Sequence, residues 1–117
     1  MNRIIDFIVI RWLALTLLCF TAITLLSLWP VESLPPVPGT DKTHHLIAYA
    51  ALVFPVALSK PRHWVYITLF FVLWSGIIEL IQPYVNRYGE WLDMLANVAG
   101  VTCGIILAAL LNRLHAA

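Results

Sequence analysis

Four apolar segments, separated by polar or proline-rich stretches, make up most of this chain. They cover residues 12–29, 43–59, 64–82 and 93–111. At a helical rise of about 1.5 Å per residue, the first segment reaches about 27 Å, enough for the hydrocarbon core of a bilayer. The second is shorter and contains Pro55, where a kink is expected. Because a helix satisfies its own backbone hydrogen bonds in lipid, the pattern predicts an all-α membrane protein with four transmembrane helices in a compact bundle.

The composition supports a membrane environment. Of the 117 residues, 62% are hydrophobic and 11% are charged, against about 45–50% and 25% in soluble domains. A soluble domain of this size buries only about 60–70% of its surface, too little to cover so many apolar side chains. The length predicts a single domain, residues 1–117. The net charge of +1 gives no electrostatic basis for binding nucleic acid.

The positively charged residues predict how the chain is oriented. Residues 1–11 resemble the charged start of a signal peptide, but residues 27–29 offer no small-x-small cleavage site, so the first segment is predicted to remain as a span. Loops rich in Lys and Arg stay in the cytoplasm. One predicted side carries only Lys42 and Arg87, and the other carries Arg3, Arg11, Lys60, Arg62 and Arg113. We therefore expect both termini to be cytoplasmic.

Polar side chains collect at the outer ends of three predicted helices. Asp41, His45 and Tyr49 recur every four residues, and Glu79 and Gln82 are three apart, so each set lies on one helix face. A carboxylate within a span costs about 2.5–3.5 kcal/mol at mid-membrane and less near the surface, which makes it a functional candidate by default. The last helix and the loop before it add Arg87, Asp93, Asn97, Gly100 and Gly104. The two glycines predict close approach of another helix.

These residues form three ordered motifs within residues 41–104. They are D-K-x-x-H-x-x-A-Y from Asp41, E-x-x-Q from Glu79, and R-x-G-E-x-x-D-x-x-A-N-x-x-G-x-x-x-G from Arg87. In type and order they resemble the VanZ-like family of small multi-pass membrane proteins. The family's founding member is linked to low-level resistance to teicoplanin, a glycopeptide antibiotic that acts on cell-wall precursors outside the membrane. The resemblance implies a cell-envelope role in the bacterial inner membrane and makes an effect on antibiotic resistance an expectation. It does not indicate which biochemical activity the protein has.

Three hypotheses describe what this polar cluster does. In the favoured one it binds an amphiphile with an anionic head, such as a lipid-linked envelope precursor, with Arg87 on the anion. In the second, the protein is an intramembrane enzyme in which His45 is a general acid or base, with Glu79 or Asp93 activating a nucleophile. In the third, the cluster is a structural hydrogen-bond network, and function lies in contacts with a partner protein. The predicted site comprises Asp41, His45, Glu79, Gln82, Arg87, Asp93 and Asn97.

No metal and no cofactor are predicted. A divalent ion held by Asp41, His45, Glu79 and Asp93 is chemically possible, but its ligands would come from three helices rather than from a local spacing. Asp41 and Asp93 also suit the capping positions at the starts of their helices. The expected partner is the lipid bilayer. A homo-oligomer is compatible with the pattern, but no residue specifies one.

Overall fold

A computed structural model describes residues 2–28, 41–85 and 91–116 of the chain. Five α-helices follow one another as α1 (Asn2–Ile10), α2 (Trp12–Ser27), α3 (Asp41–Ser59), α4 (Trp64–Ile81) and α5 (Trp91–Ala116), with a 3-10 turn, Gln82–Val85, after α4. Within the described ranges all regular structure is helical, so the all-α fold class is confirmed. The short turn between α3 and α4 falls where the sequence predicts one.

Fewer helices meet the length and apolarity needed to cross a membrane than the four spans that the sequence predicts. Within the described residues, two helices are long and apolar enough to cross a membrane, Trp64–Tyr84 and Leu92–Leu114. The pair α1 and α2 would supply a third if it forms one span, although the two helices are bent by 73° relative to each other. The apolar part of α3, Thr43–Ser59, is shorter. A multi-pass membrane bundle is therefore confirmed, whereas four spans are not.

The segment before the first predicted span is itself helical. Residues 2–10 form α1, a short helix whose Ile5 is only 4% exposed and packs in a small core with Ala57, Leu58 and Ala108. Ile4, by contrast, is 67% exposed on the other side of the helix. The segment that resembles a charged leader in the sequence is thus a helix docked against the ends of α3 and α5.

Helices α3 and α5 form the centre of the bundle and run in parallel. A Cβ atom added at Gly100 would overlap the backbone of Leu46, and one added at Gly104 would lie 2.7 Å from the carbonyl oxygen of Ala50. Near the other end of the pair, Asn112 Nδ2 donates a hydrogen bond of 3.2 Å to the carbonyl oxygen of Leu58. The two glycines therefore permit the close approach that the sequence predicts, and the resulting register fixes which polar residues meet.

Helix α2 packs against α4 largely through aromatic rings. Phe20 stacks on Phe70 with ring centroids 5.9 Å apart, and its ring lies 5.4 Å from that of Trp74. Trp74 Nε1 donates a 2.9 Å hydrogen bond to Thr24 Oγ1, which satisfies its only polar atom. The outward face of α4 is apolar and exposed, as a surface in contact with lipid should be; Leu73 and Leu80 are 66% and 75% exposed.

Candidate functional site

Three ionisable side chains from three helices meet at one end of the bundle. His45 lies in the second turn of α3, Glu79 in the last turn of α4, and Asp93 in the first turn of α5. One nitrogen of His45 and one carboxylate oxygen from each acid all lie within 4.8 Å of one another. Asp93 is only 6% exposed, and the other two are half-buried. Positions 34 and 48 residues apart from His45 are thus joined by the helix packing alone.

Asn97 holds His45 in a defined orientation. Its Oδ1 atom lies 2.9 Å from His45 Nδ1, and the asparagine is 2% exposed. An amide oxygen only accepts hydrogen bonds, so Nδ1 of the ring carries a proton and donates the hydrogen bond. The other ring nitrogen, Nε2, then keeps its lone pair for a proton or a ligand. This bond depends on the α3–α5 register that Gly100 and Gly104 set.

Gln82 connects the site to α2. It is 1% exposed, and its Nε2 donates a hydrogen bond of 3.1 Å to the carbonyl oxygen of Ser27. Its Oε1 atom is buried and accepts no hydrogen bond from any part of the chain that the structure describes. Since Gln82 follows Glu79 by three residues, the two share a helix face. The sequence could not reveal Ser27 as a partner, because a backbone acceptor leaves no residue-type signal.

Tyr49 belongs to the core next to the site. It is 2% exposed and packs with Leu52, Val53 and Val56. The carboxylate of Glu79 lies close enough to act electrostatically on its hydroxyl group. The predicted face of α3 is thus turned inward, with His45 at the polar end and Tyr49 below it.

Two of the predicted site residues cannot be placed with the others. Arg87 lies outside the described residues, as do the side chains of Asp41 and Lys42. The structure brings together His45, Glu79, Asp93 and Asn97, with Gln82 on the same face of its helix as Glu79. Asp93 stands in the first turn of α5, two residues after its start, where a carboxylate is stabilised by the helix dipole rather than acting as the capping residue.

An open apolar groove follows the α3–α5 contact away from this cluster. It is lined by Ala50, Ala51, Phe54, Cys103, Gly104 and Leu107. Ala50 and Gly104 lie five and seven residues beyond His45 and Asn97 on their helices, which corresponds to about 8–10 Å. On α3 the groove residues lie about 140–240° around the helix from His45, so the groove and the cluster open on different sides of this helix.

Comparison with known proteins identifies a family. The family model described as VanZ/LLP1 matches residues 7–112, which is most of the chain. No curated protein matches, and no solved structure matches. The match extends the resemblance seen in the three sequence motifs to include part of α1, all of α2 and nearly all of α5.

Proposed function

The chain belongs to the VanZ/LLP1 family, and from that premise we propose that it binds an envelope amphiphile, with the polar head at the cluster and the hydrocarbon chain along the exposed apolar surface beside it. The observation that carries the proposal is the meeting of His45, Glu79 and Asp93 within 4.8 Å at the end of an otherwise apolar bundle. Ionisable groups at such positions are costly and typically mark a ligand pathway or site. The amphiphile would be a lipid-linked precursor of the cell envelope.

The shape of the bundle favours an amphiphile over a fully water-soluble ligand. Exposed apolar side chains adjoin the cluster in sequence, such as Leu80 beside Glu79 and Leu92 beside Asp93. A ligand that places its head at His45 would therefore have lipid or apolar side chains, and not water, beside its remainder.

The expected cations for an anionic head come from the chain near the cluster. Lys42 precedes His45 by three residues, and Arg87 lies in the connection between the 3-10 turn and α5. A guanidinium group can contact a phosphate or carboxylate through two parallel hydrogen bonds. In this proposal Arg87 contacts the head, and Glu79 and Asp93 accept hydrogen bonds or hold Arg87 in place.

The location that goes with this function is the bacterial inner membrane. With both termini in the cytoplasm, as the distribution of Lys and Arg predicts, the cluster faces the outside, where cell-wall precursors are assembled. An effect on teicoplanin susceptibility would then follow from competition for, or removal of, such a precursor. Deleting the gene and measuring growth against teicoplanin tests that link separately from binding.

A second function is favoured by the His45–Asn97 hydrogen bond. An imidazole with a fixed tautomer next to two carboxylates is the arrangement of a general acid or base. In such an intramembrane enzyme, Asp93→Asn would keep the bound lipid but abolish its turnover. In the binding protein, the same substitution alters the amount of lipid bound and no bond is broken.

Native mass spectrometry of the detergent-purified protein tests the binding proposal. Arg87→Gln is expected to lose a bound anionic lipid, whereas Arg62→Gln, at the opposite end of α4, is expected to retain it.

Thermal stability, recorded on the same samples, separates binding from a structural role. Stable variants that lose the lipid support the proposal. Wild-type protein without lipid, combined with loss of stability in Arg87→Gln and Asp93→Asn, would show that the cluster only holds the helices together.

A further inference from the structure

We infer that His45, Glu79 and Asp93 bind one divalent transition-metal ion, Zn²⁺ or Mn²⁺. The metal site stands on the geometry of these three side chains. Its role, which is to hold the phosphate of the amphiphile's head, rests on the proposed function. The sequence argued against a metal because the ligands lie on three helices, but the bundle brings three of the four candidates together.

The distances are compatible with a site that closes on its ion. The three potential ligand atoms lie within 4.8 Å of one another. Around a tetrahedral zinc ion, with bonds of about 2.0–2.2 Å, neighbouring ligand atoms are roughly 3.4 Å apart. Glu79 and His45 are half-buried rather than tightly enclosed. To reach that spacing the ligand atoms would have to come closer to one another by up to about 1.4 Å.

The hydrogen bond from His45 to Asn97 prepares the ring as a ligand. Metal-bound histidines usually donate their second N–H to a carbonyl or carboxylate group, which fixes the tautomer and the ring orientation. Here Nδ1 donates to Asn97 Oδ1 at 2.9 Å, so Nε2 is the ring nitrogen left to coordinate an ion. Asn97 is buried and belongs to the same helix as Asp93, so the ring is aligned with a second ligand.

The charge of the cluster also favours a cation. Two carboxylates lie near each other in the cluster, and a divalent ion between them would offset the repulsion of their negative charges. The bound ion would also make the same cluster attractive to an anion. With three protein ligands, a tetrahedral ion keeps one open position. A phosphate oxygen can occupy it.

The ligand set selects the kind of ion. One imidazole nitrogen and two carboxylate oxygens suit borderline ions, since imidazole favours zinc and carboxylates favour manganese. The buried Oε1 of Gln82, one turn after Glu79, has no donor among the described residues and can accept from water bound to the ion. Calcium is disfavoured because it takes six to eight oxygen ligands.

Metal content measured on the full chain tests the inference. The protein is purified in detergent through a streptavidin-binding tag, stripped with a chelator, reloaded with Zn²⁺ or Mn²⁺ alone, and analysed by mass spectrometry for bound metal. Wild type is expected to hold about one ion per chain, and Asp93→Asn or Glu79→Gln less than about a tenth of that. Asn97→Leu keeps all three ligands but loses the orienting bond, so its affinity should fall about 10–100-fold.

His44→Gln provides the matched control. It removes the adjacent histidine, which helical periodicity turns about 100° away from His45, and is expected to retain the ion. The visible spectrum of the Co²⁺-loaded protein reports whether the bound ion is tetrahedral, and it should disappear in His45→Gln. Retention of the ion by Asp93→Asn and Glu79→Gln, or its loss in His44→Gln, would overturn the inference. Wild-type protein that binds neither Zn²⁺ nor Mn²⁺ would also overturn the inference, and this result does not depend on whether the variants fold.

Lipid binding by stripped and reloaded wild type distinguishes the two proposals. Lipid retained only when the metal is present supports both. Lipid retained equally after stripping overturns the metal's role but leaves the proposed function standing. An ion without any bound lipid supports the metal site and contradicts the proposed function.

Discussion

Gly100 and Gly104 control the site from outside it. Neither has a side chain to offer a ligand, yet they determine how closely α5 approaches α3 and therefore which residue of α5 faces His45. The partners at both glycines include backbone atoms of α3, which cannot rotate away as a side chain can. In membranes, packing of this kind is a main source of helix association, because lipid is as apolar as the helix surfaces.

Gly100→Ala is expected to destabilise the protein by about 1–3 kcal/mol, the usual cost of overpacking. Its new methyl group would overlap the backbone of Leu46. Gly76→Ala is the control: its methyl group would lie 3.3 Å from the flexible end of Met94, and replacing a helical glycine by alanine can stabilise by up to about 1 kcal/mol. Unfolding by denaturant in detergent, followed by tryptophan fluorescence, measures both. Equal stability of the two variants would show that α3 and α5 are not held at this distance.

At the scale of helices, α1 combines one buried side chain with a mixed exposed surface. Ile5 packs on the bundle, and Ile4, Phe7 and Ile10 are exposed together with the charged Arg3 and Asp6. This mixture and the 73° bend between α1 and α2 are compatible with a helix lying along the membrane surface at the end of the bundle. The buried face of α1 contacts α3 near its end and α5 at Ala108.

Ile5→Ala is expected to cost about 2 kcal/mol or more, because it leaves a cavity against Ala57, Leu58 and Ala108. Ile4→Ala removes the same atoms from an exposed position and should change stability by no more than about 0.5 kcal/mol. The same denaturant unfolding compares them. If the two substitutions have equal effects, α1 does not dock as the structure shows it.

The helices themselves could be predicted closely from the sequence, while their contacts could be predicted only in part. Segment 64–82 became α4, and segment 43–59 became most of α3, because uninterrupted apolar runs bounded by polar or proline-rich turns indicate helices in lipid. The four-residue and three-residue spacings predicted that His45 and Tyr49 share one helix face and that Glu79 and Gln82 share another. That these faces turn inward is a result of the packing of the bundle. The docking of α1 and the bond from Gln82 to Ser27 were not predictable, since both depend on tertiary packing. Asp41 and Arg87 remain predictions.

The molecule as a whole has the dimensions and surface of a membrane-spanning bundle. It measures 47 × 27 × 22 Å, and a bilayer with its headgroups is about 40–45 Å thick. Helix α3 is short as an apolar segment, yet it follows α5 from the Leu46–Gly100 contact to the bond between Leu58 and Asn112. Over that distance α5 advances by about 18 Å. Because α3 is covered mainly by other helices, its own length and apolarity are less constrained by the lipid.

Labelling of single cysteines with a membrane-impermeant maleimide tests this arrangement. In a background carrying Cys19→Ala and Cys103→Ala, Tyr84→Cys is expected to react in spheroplasts, and Arg62→Cys only after the membrane is opened. These exposed positions lie at opposite ends of α4, and the distribution of Lys and Arg predicts that residues 60–63, just before α4, lie on the cytoplasmic side. Thr43→Cys should react like Tyr84→Cys if α3 also crosses. Equal labelling of the variants in detergent controls for accessibility. Reversed labelling of Tyr84→Cys and Arg62→Cys would place the cluster on the cytoplasmic side. Labelling of Thr43→Cys only in opened spheroplasts would show that α3 does not cross the membrane.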